Sequence, residues 1–293
     1  MKKILSFRLF FYLLYGLVLT AVLLYVRFPR EKFRHYCERQ VERTLSNVHC
    51  NIGHIGYSFP SSVIFEKVKL SSSATVKSRG FLVDRLQVEP RLQSLFFKWR
   101  VSGDLYGGTL GADLSLSYGN KSFILKNIQC QKIAIAEIVE GVVPVERKVT
   151  GSLFIDGEYK AGFNLPTAGT GNGHVRFEKG TFQLLNTLFT LHSLDYQTVQ
   201  WRWQYGREKF DITDGKMLGK QFNVDFTGAL FPRFLIDGGD LKLSGLITSN
   251  EAFLQGKPKI RKIFIQLTQR SGKAAVPFQL GGTLRKPRLR LIR

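Results

Sequence analysis

The chain is short of cysteine, methionine and acid. Its three cysteines, Cys37, Cys50 and Cys130, are scattered over 293 residues. They are too few for a disulfide framework, and no pair has the CxxC spacing of a zinc site. No bridge is expected between Cys50 and Cys130. Only 22 Asp and Glu oppose 43 Lys and Arg, a net charge of +21. That excess points to an anionic partner such as nucleic acid, a phospholipid surface or lipopolysaccharide. The basic residues also have a location: no acid follows Glu251, and the final 42 residues hold 11 Lys and Arg, among them Arg285, Lys286, Arg288, Arg290 and Arg293. Low acid content and 22% charged residues do not imply disorder, because 44% of the residues are hydrophobic.

Catalytic motifs are missing too. There is no GxxxxGK[ST], GxSxG or HExxH. Gly107-Gly108-x-x-Gly111 only superficially resembles a phosphate loop, since strand-like alternation follows it where a helix N-terminus is needed. His49, Cys50 and His54 fit no common zinc framework, even with Cys37 added. The five histidines, His35, His49, His54, His174 and His192, lack the company that specifies a triad. Asp156 and Glu158 share one strand face and read as solvated residues rather than an acid/base pair. The expectation is a protein without catalytic residues, metal or cofactor.

What is present begins with a long apolar run. Leu9 to Val26 is 18 residues without a charge. As a helix it would be roughly 27 Å long, about the thickness of a hydrocarbon core. Leu9, Phe10, Leu13, Leu17, Leu19, Val22, Leu24 and Val26 are its membrane-facing candidates. The run ends in Leu-Leu-Tyr-Val-Arg with no small-residue cleavage site, which reads as an uncleaved signal anchor. Residues 1–8 form a short tail with Lys2, Lys3 and Arg8. Arg27, Arg30, Lys32 and Arg34 follow the span, so charge alone leaves the orientation open. In residues 27–48 an amphipathic linker helix is expected from Arg30 to about Ser46. Pro29 opens it, and Phe33, Cys37, Val41 and Leu45 form its apolar stripe.

From residue 49 to residue 293 the period changes from 3.6 to 2. Odd positions from Val149 to Leu165 are all apolar or Gly. Similar alternation appears in Leu110–Tyr118, Val199–Tyr205, Phe222–Leu230, Ile263–Leu267 and Val276–Leu284. Turn residues separate the runs, and only short helices, about Ile133 to Glu140 and Asn250 to Leu254, are expected within them. This predicts a mainly β domain: a long antiparallel sheet with one apolar face and almost no helix to cover it. Such a sheet must fold into a sandwich, close as a barrel or curl into a trough. The expected lining of that interior is Leu110, Leu114, Leu153, Ile155, Val199, Trp201, Trp203, Tyr205, Phe222, Val224, Phe278 and Leu280. Whether it is an open groove or a filled core is not decided by the pattern.

Several stretches match a known pattern. The segment HIGYSFP, His54 to Pro60, leads into Val63, Phe65, Val68 and Leu70 and is similar to the opening of AsmA-like envelope proteins. Gly103 to Gly111, GDLYGGTLG, resembles a strand of the type II secretion (general secretion pathway) protein N family, as does the stretch from Gln131 to Ile155. The segment from Pro277 to Leu291, PFQLGGTLRKPRLRL, resembles an AsmA-type terminus. The resemblance implies a single-pass inner-membrane protein with its N-terminus in the cytoplasm and its β domain in the periplasm. It implies an accessory role in type II secretion through contacts with other secretion subunits, with phospholipid or lipopolysaccharide as further partners and no nucleic acid. The wider AsmA likeness implies the alternative: a trough that binds or transfers lipid for outer-membrane homeostasis. Neither likeness implies a catalytic residue or a cofactor.

Overall fold

A computed structural model describes residues 11–16, 18–20, 29–45, 48–58, 61–72, 80–91, 97–142, 148–188, 191–232, 239–271, 275–283 and 287–292. Its strands are β1 (Val48–Ser58), β2 (Ser62–Ser72), β3 (Phe81–Pro90), β4 (Lys98–Leu105), β5 (Gly108–Ser117), β6 (Ser122–Ala134), β7 (Ser152–Gly162), β8 (Thr170–Leu188), β9 (Leu191–Gly206), β10 (Lys209–Gly219), β11 (Phe222–Phe231), β12 (Asp240–Ser249), β13 (Val276–Gly282) and β14 (Pro287–Leu291). They form one open antiparallel sheet in which every strand pairs with its sequence neighbours. The helices are α1 (Arg30–Thr44), α2 (Ile135–Val142), α3 (Glu251–Gln255) and α4 (Pro258–Ser271).

Register explains how so long a meander keeps one apolar face. A single row runs Ile55, Phe65, Leu86, Gly103, Leu110, Cys130, Ile155, Val175, Trp201 across β1 to β9. A second row runs Trp203, Ile212, Gly228, Leu243, Leu280, Leu289 from β9 to β14. Strict alternation would lose this face wherever a strand shifts by one residue. Residues with positive φ interrupt the strands at Lys67, Asn127, Lys132, Lys179 and Asp214. Around Asn127, β6 spends an extra residue against both β5 and β7, and around Lys132 it spends another against β7. These bulges return Leu125, Ile128, Cys130 and Ile133 to the same side.

Three helical caps cover parts of that face. Phe33, Cys37 and Val41 of α1 pack on Cys50, Ile52 and Ile55. Ile138 of α2 joins Val83, Leu105, Tyr106 and Ile133. Ile260, Phe264 and Leu267 of α4 close over Phe222, Ile247, Val276 and Phe278. The last of these corrects an expectation, because Ile263 to Leu267 belongs to a helix. Pro258 sits in its first turn, where a missing N–H costs nothing. The inward positions 260, 264 and 267 follow the helical period, and Ile263 and Ile265 are left exposed. Asn250 begins the preceding helix, α3, by accepting the Ala252 N–H at 3.2 Å.

The expected long strand from Val149 also needs trimming. β7 starts at Ser152, and Val149 makes only an isolated bridge to Phe182. Cys50 and Cys130 lie on β1 and β6, with four strands between them. Of the expected span, Leu13 and Leu19 lie in described helical turns. Leu9, Phe10, Leu17, Val22, Leu24 and Val26 lie outside the described residues. Among the described residues no helix is long and apolar enough to cross a membrane.

Candidate functional site

The twelve residues expected to line the interior share one face of the sheet through the register just described, but they have two different environments. Phe222 and Phe278 are buried at 1% and 5% exposure under α4, with Val224 and Leu280 packed against the same cluster. Leu110 and Leu153 pack beside the α2 cluster. Leu114, Ile155, Val199, Trp201 and Trp203 lie partly exposed on the central strands, with Tyr205 buried at their end.

In that centre the surface is made of aromatic rings. Trp201 meets Phe177 at 5.3 Å between centroids and Phe226 at 6.2 Å. Trp203 meets Phe210 at 5.7 Å, and Tyr205 meets the same ring at 4.6 Å. Tyr205 continues to Tyr159 at 6.0 Å and Tyr159 to Phe123 at 6.2 Å. The contacts form two groups, one from Phe123 on β6 through Tyr159, Tyr205 and Phe210 to Trp203, the other joining Phe177, Trp201 and Phe226 on β8, β9 and β11, in edge-on and tilted geometries that suit ring quadrupoles.

Glycines let these rings lie down. A Cβ on Gly157 would stand 2.8 Å from Trp203, and one on Gly171 would stand 3.3 Å from the same ring. A Cβ on Gly215 would stand 2.5 Å from Phe226, which thereby reaches across β10 toward Trp201. Rings laid over glycines pave a sheet, whereas rings that fill a sandwich stand up between two layers. The principal helix contacts with strands are on β1, β3 and β13. At one margin of the pavement Phe226 packs against the α4 cluster, while Phe123, Tyr159, Phe177, Trp201, Trp203 and Phe210 belong to none of the helix-capped clusters. Trp203 Nε1 is buried with no hydrogen-bond partner among the described residues.

The tyrosines also anchor the rim. Tyr159 donates to the Pro166 carbonyl at 2.6 Å and accepts the Gly169 N–H at 3.0 Å. Tyr205 donates to the Thr167 carbonyl at 2.5 Å. Desolvation raises the Tyr205 pKa above that of a free phenol, with Tyr159 and Glu208 adding to the shift.

The polar face carries paired charges. Arg202 binds Asp214, His174 binds Asp156 at 3.0 Å, and Arg176 binds Glu178 at 3.0 Å. Asp113 is held below the usual carboxylate range, first by a hydrogen bond from Asn127; desolvation opposes this, and Arg91 and Arg100 add to the lowering. A hollow of about 790 Å³ opens here beside Phe154, Asp156, His174, Arg176 and Arg202. A second, of about 670 Å³, opens beside Lys126, Glu158, Asn172 and Lys209. Concavity is therefore not confined to the apolar side, as the expected interior assumed. A twisted sheet is saddle-shaped and dishes each face along a different diagonal. Asp156 and Glu158 spend their carboxylates on His174 and Asn172. No group of three or more metal-capable side chains occurs among the described residues.

Of the basic stripe, Arg288 and Arg290 lie on β14, while Arg285, Lys286 and Arg293 lie outside the described residues. Phe123, Tyr159, Phe177, Phe210 and Phe226 belong to the pavement but were not singled out by the sequence. Tyr159 and Phe226 sit inside recognised alternating runs, and the bulge at Asn127 hides Phe123. No family model, curated protein or solved structure matches the chain.

Proposed function

We propose that the chain is a membrane-anchored accessory component of type II secretion, with its sheet in the periplasm. It works through protein contacts and through acyl chains that rest on the paved centre of the apolar face. The observation that carries this reading is the two groups of largely part-exposed rings, Phe123 to Trp203 and Phe177 to Phe226, side by side on one face of an open sheet. An apolar surface of that extent marks a partner or lipid site. The anchor rests on Leu9–Val26. Phe11, Tyr12, Leu13, Leu14 and Tyr15 expose apolar side chains around a helical turn, as a lipid-embedded helix does. The secretion role rests on the protein N resemblance. A strain lacking the chain should retain folded exoproteins in its periplasm, measured by comparing medium and periplasmic fractions. Normal export would defeat the secretion role.

A second reading is favoured by the pavement itself: an AsmA-like groove that binds or transfers lipid for outer-membrane homeostasis. In that case the same strain exports normally but becomes sensitive to detergents that an intact outer membrane excludes. Lipid copurifying with the full chain, identified by mass spectrometry, supports acyl binding under either reading.

A further inference from the structure

The two edges of the sheet are finished differently. An edge strand offers unpaired N–H and C=O groups to any extended chain. On β1 those donors are taken: Glu42 Oε1 accepts the Cys50 N–H at 3.2 Å and Glu38 Oε1 accepts the Ile52 N–H at 2.9 Å. Both carboxylates come from α1, which lies along that edge. On β14 nothing comparable occurs among the described residues. The Ile292 N–H donates to the Pro277 carbonyl at 2.9 Å, which sets the phase of the ladder. Arg288 and Arg290 therefore turn their backbone groups toward β13, and Leu289 and Leu291 turn theirs outward. Pro287 falls in the outward set, where its missing N–H breaks no existing bond.

We propose that β14 is a docking edge for an extended strand of another protein, one that alternates acidic and apolar residues. Backbone pairing to Leu289 and Leu291 would add a fifteenth strand and continue the apolar face, where Leu289 is 40% exposed. On the other face the partner's acids would meet Arg288 and Arg290. These side chains make no ion pair among the described residues, and with Lys242 they border a hollow of about 510 Å³ whose lining holds no carboxylate. The same charges disfavour a second copy of this chain. Two β14 edges side by side bring Arg288 and Arg290 against their own kind, and a β14-to-β1 contact is blocked by Glu38 and Glu42. An acidic strand is the occupant that satisfies both the hydrogen bonds and the charge. This surface is separate from the paved centre.

The test uses the full chain in detergent micelles and a fluorescent peptide alternating valine and glutamate. Anisotropy should report binding, and hydrogen exchange should slow at the Leu289 and Leu291 amides. Arg288→Glu with Arg290→Glu should weaken binding by at least about tenfold and select a valine–lysine peptide instead. The same peptide with alternate backbone nitrogens methylated should not bind. Absence of binding overturns the proposal and leaves an edge protected only against self-pairing. So does equal binding of the methylated peptide, which would reduce the site to a charge patch. Equal slowing of both amides by phosphatidylglycerol vesicles without peptide would assign the edge to a membrane surface. Self-association lost in Leu289→Pro, with no affinity for the peptide, would assign it to a second copy.

Discussion

Under α4 the apolar face behaves as an ordinary core, whereas the strands between the caps carry the same kind of residue without a cover. Phe222 and Val276 are almost wholly enclosed, and Phe222 stacks on Phe264 at 6.1 Å. Trp201 and Trp203 hold the same side of the sheet and remain partly exposed. The covered flanks convert burial into stability. The centre keeps its apolar area accessible, so its free energy is available to a guest. Chemical type does not distinguish the two regions, which are both aromatic and aliphatic. The presence of a helix over them does.

The largest expected effect breaks the covered region. Phe222→Ala should lose about 3–5 kcal/mol, because a ring at 1% exposure leaves a cavity behind. Urea unfolding of the full chain in micelles measures it, and a loss below about 1 kcal/mol would mean that α4 closes no real core. Next comes the α1 flank. Glu38→Ala removes a charged acceptor from the Ile52 N–H and should cost about 1.5–3 kcal/mol. Hydrogen exchange at Ile52 should accelerate, and unchanged exchange would show that the β1 edge is held by something else. Trp201→Ala sharpens the contrast from the other side. A partly exposed ring should cost only about 1–2 kcal/mol while removing acyl binding. A cost equal to that of Phe222→Ala would make the centre a filled core.

The smallest effect is a pH dependence on the α1 flank. Burial, aided by Glu38, Glu42 and Cys37, pushes the Cys50 thiol up to about 11 from an ordinary 9.0. The folded state holds this proton more tightly than the unfolded chain does. The contribution is therefore present below pH 9 and is lost as pH rises toward about 11. Chemical denaturation midpoints should fall across that interval, and the fall should be smaller in Cys50→Ala.

How much of this was legible in the sequence follows from the same contrast. Period-2 alternation in Leu110–Leu116, Val199–Tyr205 and Phe222–Leu230 marks strands of the observed sheet, and the Phe33, Cys37, Val41 stripe marks α1. The α4 segment was misread because Ile263, Ile265 and Leu267 alternate by coincidence. The interleaved Ile260 and Phe264 carry the real, helical period. Bulges hid the rest: the extra residues at Asn127, Lys132 and Lys179 switch the parity of a strand without any apolar signal. Edge capping was equally hidden, since Glu38 reaches a backbone N–H fourteen residues away in sequence. Which part of an apolar face stays uncovered depends on where helices fall across distant strands, and no local pattern records that.

The most direct test of the uncovered centre is quenching of tryptophan fluorescence by brominated acyl chains. In a Trp99→Phe background, emission comes from Trp201 and Trp203 alone. Phosphatidylglycerol brominated along its acyl chains, added in micelles, should quench that emission strongly, whereas a headgroup-sized brominated anion should not. Emission that ignores the brominated lipid, with the sheet still folded by circular dichroism, would contradict an open, acyl-binding face.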